Sequence, residues 1–355
     1  MSDATPPPSL SGPHTGLTRR RVLRIVAACG AVPLGIAALR AIAPKDQLFT
    51  WQGEVLGAVS ELTLWHPDAS LARETILKVR LEIARFEQIF SLYRKSSEIS
   101  RLNEAGRLRK PSPELRTLVE QSRHLSELSE GAFDITVQPL WRLYEAHFWS
   151  HTDHSADIAA KARDTARALV DFRGIDCGSA EIGFAREGMA ITLNSLAQGF
   201  ITDFVADMLR HEGFERAMVD LGEYRAIGRD ASGRAFRIGI RDALAPNRIG
   251  RTVELDDETS GTALAVSGGY GTTLEPSGRF HHIFDPHSGA SANRIADVTV
   301  VGPSATVANG LATAICVAGE ARAGALLAAY PGTRAFLTRL DGTSVAVTAN
   351  GPVTA

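Results

Sequence analysis

The residues of this sequence best suited to chemistry fall in five separated segments. The first runs from Phe90-Ser91-Leu92-Tyr93 to Asn103 and leaves one tyrosine in a polar loop, where its ring could stack on an aromatic ligand. In the second, Gly131 to Leu140, a glycine that lets the backbone approach another group closely stands beside Ala132, Phe133 and Asp134. A plain turn with a capping aspartate reads equally well from it. The third sets the short apolar run Ile191-Thr192-Leu193 directly before Asn194-Ser195-Leu196-Ala197-Gln198-Gly199. A strand running straight into a helix of small residues leaves backbone N–H groups free, where a pyrophosphate can sit.

The fourth segment, Arg279 to Gly289, holds the pair His281-His282 followed by Ile283 and a Pro/Gly turn. One of those imidazoles could take a hydroxyl proton near neutral pH, and a histidine merely hydrogen-bonded within its turn is the alternative. In the fifth, Asn309 and Thr313 are four apart, share one helix face and offer only oxygen ligands, the donor type magnesium accepts. A further group, His147 with His151, Asp153 and His154, could bind zinc or copper, and reads equally as a polar surface loop.

These segments need a scaffold, and its elements can be read from hydrophobic periodicity. Val55 to Trp65 alternates as a strand, and Ser70 to Phe90 carries apolar residues at helical spacing, as does Pro113 to Ser129. A strand at 191–193 leads to a helix over Ala197 to Leu209. Antiparallel strands follow around Val219 to Glu223, Phe236 to Ile240, Thr262 to Val266, His282 to Phe284 and Asp297 to Val301, and Thr306 to Gly319 reads as a buried helix. Mixed helices and hairpins indicate α/β or α+β architecture, and no repeat of 20 to 50 residues is present.

With 355 residues and 44% hydrophobic content, the chain can bury one large or two ordinary cores. Its net charge of −2 conceals five arginines against one acid in residues 1–43, which leaves 33 basic and 39 acidic residues in the remainder. A mildly acidic body argues against nucleic-acid binding. The stretch Thr18-Arg19-Arg20-Arg21-Val22-Leu23-Arg24, an Ala/Gly-rich apolar run and Ala41-Ile42-Ala43 read as a twin-arginine export signal cleaved before Pro44. An uncleaved anchor helix and a lipobox at Cys29 are the alternatives. The expected organisation is therefore a signal at 1–43, one domain at 44–355 and a periplasmic location. Cys177 and Cys316 remain, and their spacing does not say whether they pair.

In this order the five segments resemble the ApbE family of FAD:protein FMN transferases, from roughly Gly53 to Val345. The family patterns are FS-x-Y, S-x-I-S-x-L-N, G-x-F-D-x-T-x-x-P-L, H-H-I-x-D-P-x-x-G and A-D-x-x-x-T. The resemblance implies a bilobed α/β (α+β mixed) fold, with mixed sheets flanked by helices. It also implies transfer of FMN from FAD, through a phosphoester bond, to a threonine of a periplasmic or membrane electron-transfer partner, with release of AMP. By position, Leu56 and Tyr93 would flank the flavin, and Ala132, Phe133, Asp134, Thr192, Gln198 and Ile283 would contact FAD. His282 would be the base. Magnesium would be held by the Ser195 carbonyl and the side chains of Asn309 and Thr313. The segments L-N-S-x-A-Q-G and L-G-E resemble the NosX-type subgroup of nitrous oxide respiration, which implies a NosR-like membrane flavoprotein as acceptor. Three positions depart from the family: Asn309 replaces its aspartate, Gln198 a lysine, and Gly222-Glu223-Tyr224 its G-G-D. The first removes the metal's anionic ligand unless a nearby acid such as Glu223 compensates. With that ligand gone, an FAD-binding or delivery protein and a magnesium-dependent FAD pyrophosphatase become the rival functions.

Overall fold

The computed structural model describes residues 32–33, 46–150, 157–245, 247–257 and 261–353. The segment 1–43 read above as an export signal lies outside the described residues apart from residues 32–33, as do His151, Asp153 and His154. Among the described residues no helix is long and apolar enough to cross a membrane.

In chain order the strands are β1 (Val32–Pro33), β2 (Gln47–Val55), β3 (Ala58–His66), β4 (Arg107–Arg109), β5 (Ile175–Cys177), β6 (Glu181–Phe184), β7 (Ala217–Asp220) and β8 (Tyr224–Ile227). They continue as β9 (Phe236–Arg241), β10 (Ile249–Leu255), β11 (Ala263–Gly268), β12 (Asp297–Gly302), β13 (Arg334–Thr338), β14 (Ser344–Thr348) and β15 (Gly351–Val353). The helices are α1 (Ala69–Phe90), α2 (Glu98–Ala105), α3 (Pro113–Leu128), α4 (Gln138–Ser150), α5 (Ala160–Arg167), α6 (Asn194–His211), α7 (Ala305–Ala318) and α8 (Glu320–Ala328).

Nine strands form one sheet in the order β15-β14-β13-β12-β11-β8-β7-β3-β2, flanked by two three-stranded sheets, β1-β9-β10 and β4-β6-β5. Every ladder is antiparallel, so α+β is the description that fits. Both faces of the large sheet are covered, and alternate residues of one strand go to different cores. Ala217 and Val219 face the helices with Leu62, Val298 and Leu337, whereas Met218 joins Tyr224, Leu264 and Val266 under β9 and β10. A third cluster gathers Leu140, Tyr144 and Phe148 of α4 against Phe284.

The periodic helices form where their spacing places them. Asp68 caps α1 by accepting from the Ser70 and Leu71 amides, and Val79, Ile83, Phe86 and Ile89 make its buried stripe. Ser112 caps α3, with Pro113 in its first turn. Three local expectations need correction. Val55 to Trp65 is not one strand, because Leu56 and Gly57 take positive φ (49° and 90°) and turn the chain as the two-residue loop of a β2–β3 hairpin. Residues 191–193 form no strand, since the Asn103 side chain occupies the place of a neighbouring strand: its amide donates to the Ile191 carbonyl at 2.8 Å and its oxygen accepts the Ile191 N–H at 2.7 Å. Residues 282–284 also form no strand and are held by isolated bridges at Thr273–His281 and Phe284–Ser291.

Candidate active site

The five segments converge on one cavity of about 760 Å³, within the ~300–1,000 Å³ usual for ligand sites. Eleven of the twelve residues singled out in the sequence line it: Tyr93, Ala132, Phe133, Asp134, Thr192, Ser195, Gln198, His282, Ile283, Asn309 and Thr313. Leu56 is the exception. Its side chain is buried in the main core, and the turn it forms with Gly57 lies against the Tyr93 ring, so it supports the cavity from behind.

Asp134 is buried, and its own fold claims its oxygens. One accepts the Thr136 N–H at 2.7 Å and the Thr136 hydroxyl at 2.6 Å, and the other accepts the Phe172 N–H at 2.9 Å. The capping reading and the lining reading both hold, since the carboxylate stiffens the loop that presents Ala132 and Phe133. Burial outweighs these bonds and pushes its pKa up to about 6.

The two histidines separate clearly. His281 is 2% exposed, and its Nε2 meets the Asn293 side-chain oxygen at 3.1 Å while its Nδ1 accepts the Ile283 N–H at 3.3 Å, so both ring nitrogens are used. His282 lines the cavity, and its Nδ1 lies 3.3 Å from the Thr272 carbonyl. A carbonyl can only accept, which assigns the proton to Nδ1 and leaves the Nε2 lone pair free. Burial, then the neighbouring His281, lowers the His282 pKa to about 4, so the ring is neutral at neutral pH. The buried Thr272 hydroxyl, also in the cavity wall, has no hydrogen-bond partner among the described residues.

Another part of the wall comes from α6 and α7, which pack against each other. Gly199 permits the crossing, because a Cβ there would lie 2.4 Å from the Ala305 carbonyl oxygen. One turn on, Asp203 accepts from the Ala305 and Thr306 amides (both 2.9 Å) and from the Ser304 and Thr306 hydroxyls (both 2.7 Å), fastening the start of α7. Arg225 Nη1 donates to the same carboxylate at 2.6 Å.

α6 begins at Asn194, three residues earlier than its apolar pattern indicated, with no side-chain cap from Leu193. Thr192 sits at this junction and its hydroxyl accepts the Asn194 N–H at 3.3 Å. Ser195 is thereby inside the first turn, where helical geometry aims its carbonyl at the residue four on. Asn309 and Thr313 do share a face of α7 toward the cavity, and the Thr313 hydroxyl meets Ser267 at 3.1 Å.

Glu223, in the turn between β7 and β8, contributes an acid that spacing alone could not place. It is buried, lines the cavity and accepts from the Asn309 side-chain amide. Burial, then the charge of Asp220, raises its pKa well above the carboxylate range. Asp220 is itself pushed up to about 7, by burial first. An amide oxygen, a hydroxyl and a carboxylate opening on one cavity form an all-oxygen donor set that fits a hard divalent cation such as magnesium.

Sequence reading also passed over Trp141, Arg142 and Glu145 of α4, together with Lys95, Glu104 and Thr272, all of which line the cavity. The i, i+4 spacing of Trp141 and Glu145 was the available signal. Cys177 and Cys316 are not joined in a disulfide.

A profile of the ApbE family matches residues 56–337 of this chain. The FAD:protein FMN transferase of Vibrio cholerae is 34% identical over 238 residues, which span 65% of this chain and 70% of that protein. That of Treponema pallidum is 30% identical over 274 residues, 70% of this chain and 73% of its own length. Among solved structures, the flavin transferase ApbE from Vibrio cholerae superposes with a TM-score of 0.72 at 26% identity, covering 85% of this chain and 97% of that one. The apo form of the Pseudomonas stutzeri flavinyl transferase ApbE gives 0.71 at 28% identity, with 84% and 93% covered.

Proposed function

The chain belongs to the ApbE family, and from that membership we propose that it is an FAD:protein FMN transferase, moving FMN from FAD onto a hydroxyl of a protein acceptor. The observation that carries this reading is His282, a neutral imidazole with its free Nε2 in a cavity that also gathers the first turn of α6 and an all-oxygen donor set.

Nε2 takes the proton of the acceptor hydroxyl, here a threonine. The hydroxyl oxygen bonds to the FMN phosphorus, the bond from that phosphorus to the bridging oxygen breaks, and AMP leaves. The acceptor keeps FMN through a phosphoester. Tyr93, half-exposed in the cavity wall, would stack on the flavin, and the N-terminal turn of α6 would receive phosphate charge. The Asn309 and Thr313 side chains, with the second lone pair of the Ser195 carbonyl, would hold magnesium, whose chemistry when bound is to offset negative charge on the pyrophosphate. Positioning supplies most of the acceleration in such transfers.

Incubation of the purified protein with FAD, magnesium and a candidate acceptor tests this. Flavin fluorescence retained on the denatured acceptor band is the expected result. AMP released without a labelled acceptor would make the protein a FAD pyrophosphatase, and bound FAD without AMP a flavin-binding or delivery protein.

The proposal extends to location and partner. The arginine motif at 18–24 supports export of the folded chain to the periplasm, and Arg19→Lys with Arg20→Lys should then hold the protein in the cytoplasm. The L-N-S-x-A-Q-G and L-G-E segments support a NosX-type role in nitrous oxide respiration, with a NosR-like membrane flavoprotein as acceptor.

A further inference from the structure

We infer that Glu223, in the β7–β8 turn, supplies the negative charge of the metal corner that Asn309 of α7 does not carry. The inference rests on reading the cavity as a flavin and metal site. Residues 223 and 309 are 86 positions apart, yet their side chains touch in the cavity wall, and the Asn309 amide donates to the Glu223 carboxylate. That bond fixes the orientation of the amide. With Nδ2 committed to Glu223, Asn309 Oδ1 is the atom left for a ligand.

The carboxylate keeps capacity as well. It accepts from Asn309 and from the Val266 backbone N–H, two of roughly four lone-pair positions. Its backbone is anchored, because the Thr202 hydroxyl of α6 donates to the Glu223 carbonyl at 3.3 Å and the Leu221 N–H to the same oxygen at 3.1 Å. Glu223 is therefore held by the helix that also carries Ser195.

Charge explains why position 309 is neutral here. An aspartate at 309 would set two carboxylates in contact in a buried corner, where their repulsion is strong. With a cation bound, Asn309 and Glu223 carry one negative charge between them, and the amide adds a bond to the carboxylate. The acid of the β7–β8 turn thus compensates in place for the neutral residue at 309.

Manganese, which accepts the same oxygen donors and reports its binding by electron paramagnetic resonance, tests this on the full-length protein without turnover. Glu223→Gln should weaken Mn²⁺ binding about tenfold or more, as expected for losing a charged ligand. The double variant Glu223→Gln/Asn309→Asp, which keeps an amide and a carboxylate in contact with their positions reversed, should recover binding to within a few-fold of the parent. FAD titration of each variant verifies that it is folded. Parent-like Mn²⁺ affinity in Glu223→Gln, or a double variant as weak as the single one, overturns the inference. A parent protein that takes up neither Mn²⁺ nor FAD overturns the underlying flavin and metal reading instead.

Discussion

Asp134 and Glu223 are both carboxylates buried in the wall of one cavity, and they are held in opposite ways. Three donors from its own fold surround Asp134, whereas Glu223 has one backbone amide and the amide of a neighbouring candidate ligand. The same contrast divides adjacent histidines, since His281 has both nitrogens engaged and His282 keeps Nε2 open. A buried polar group whose valence is filled by the protein fixes geometry, and one left with valence over is positioned to act on a ligand.

The contrast can be broken most sharply at the histidines. His282→Asn should cut FMN transfer by roughly 10²–10⁴-fold, the span of general-base contributions, and leave FAD binding largely intact. His281→Asn should instead lower thermal stability by about 1–3 kcal/mol with a much smaller change in rate. Equal rate losses in the two variants would erase the distinction. Among the carboxylates, Asp134→Asn turns an acceptor into a donor against Thr136 or Phe172 and should cost about 1–3 kcal/mol, a fall of several degrees in Tm, with Mn²⁺ affinity unchanged. Weakened Mn²⁺ binding there would place Asp134 among the acting groups.

The smallest effect concerns pH. The His282 pKa is depressed to about 4, so the neutral base is present above that value and is lost only as pH falls through it. The acidic limb of kcat/KM should therefore lie well below 6.5, and a limb near 6.5 would mean that His282 is solvated or not the base. The same depression makes its contribution to stability complete above about 6.5 and progressively lost as pH falls toward 4.

Much of this was legible in the sequence, for definite reasons. The helices α1, α3 and α7 follow apolar periodicity, which depends on neighbours three and four apart. The site segments were legible because their residue types recur in a known order. What escaped depends on partners distant in the chain. The Asn103 side chain gives residues 191–193 the bonding of a strand without a strand beside them, across 88 positions. The resemblance chose His282 of the two histidines, but the contacts that set them apart, Asn293 and Thr272, lie outside the pair, and the place of Glu223 depends on a turn docked against α6 and α7. That Leu56 stands at positive φ in the β2–β3 turn was likewise hidden, because alternation through Val55 to Trp65 does not signal a break.

The crossing at Gly199 and Asp203 also bears on how quickly the site can respond. Candidate donors on α6 and α7 belong to helices that cannot move apart without breaking the bonds between Asp203 and residues 304–306. Their mutual placement is settled when the chain folds, so a cation entering the cavity would have little protein left to order. The adjustable part of the site would then be the ligand, which must bend its phosphates to a spacing the helices already hold.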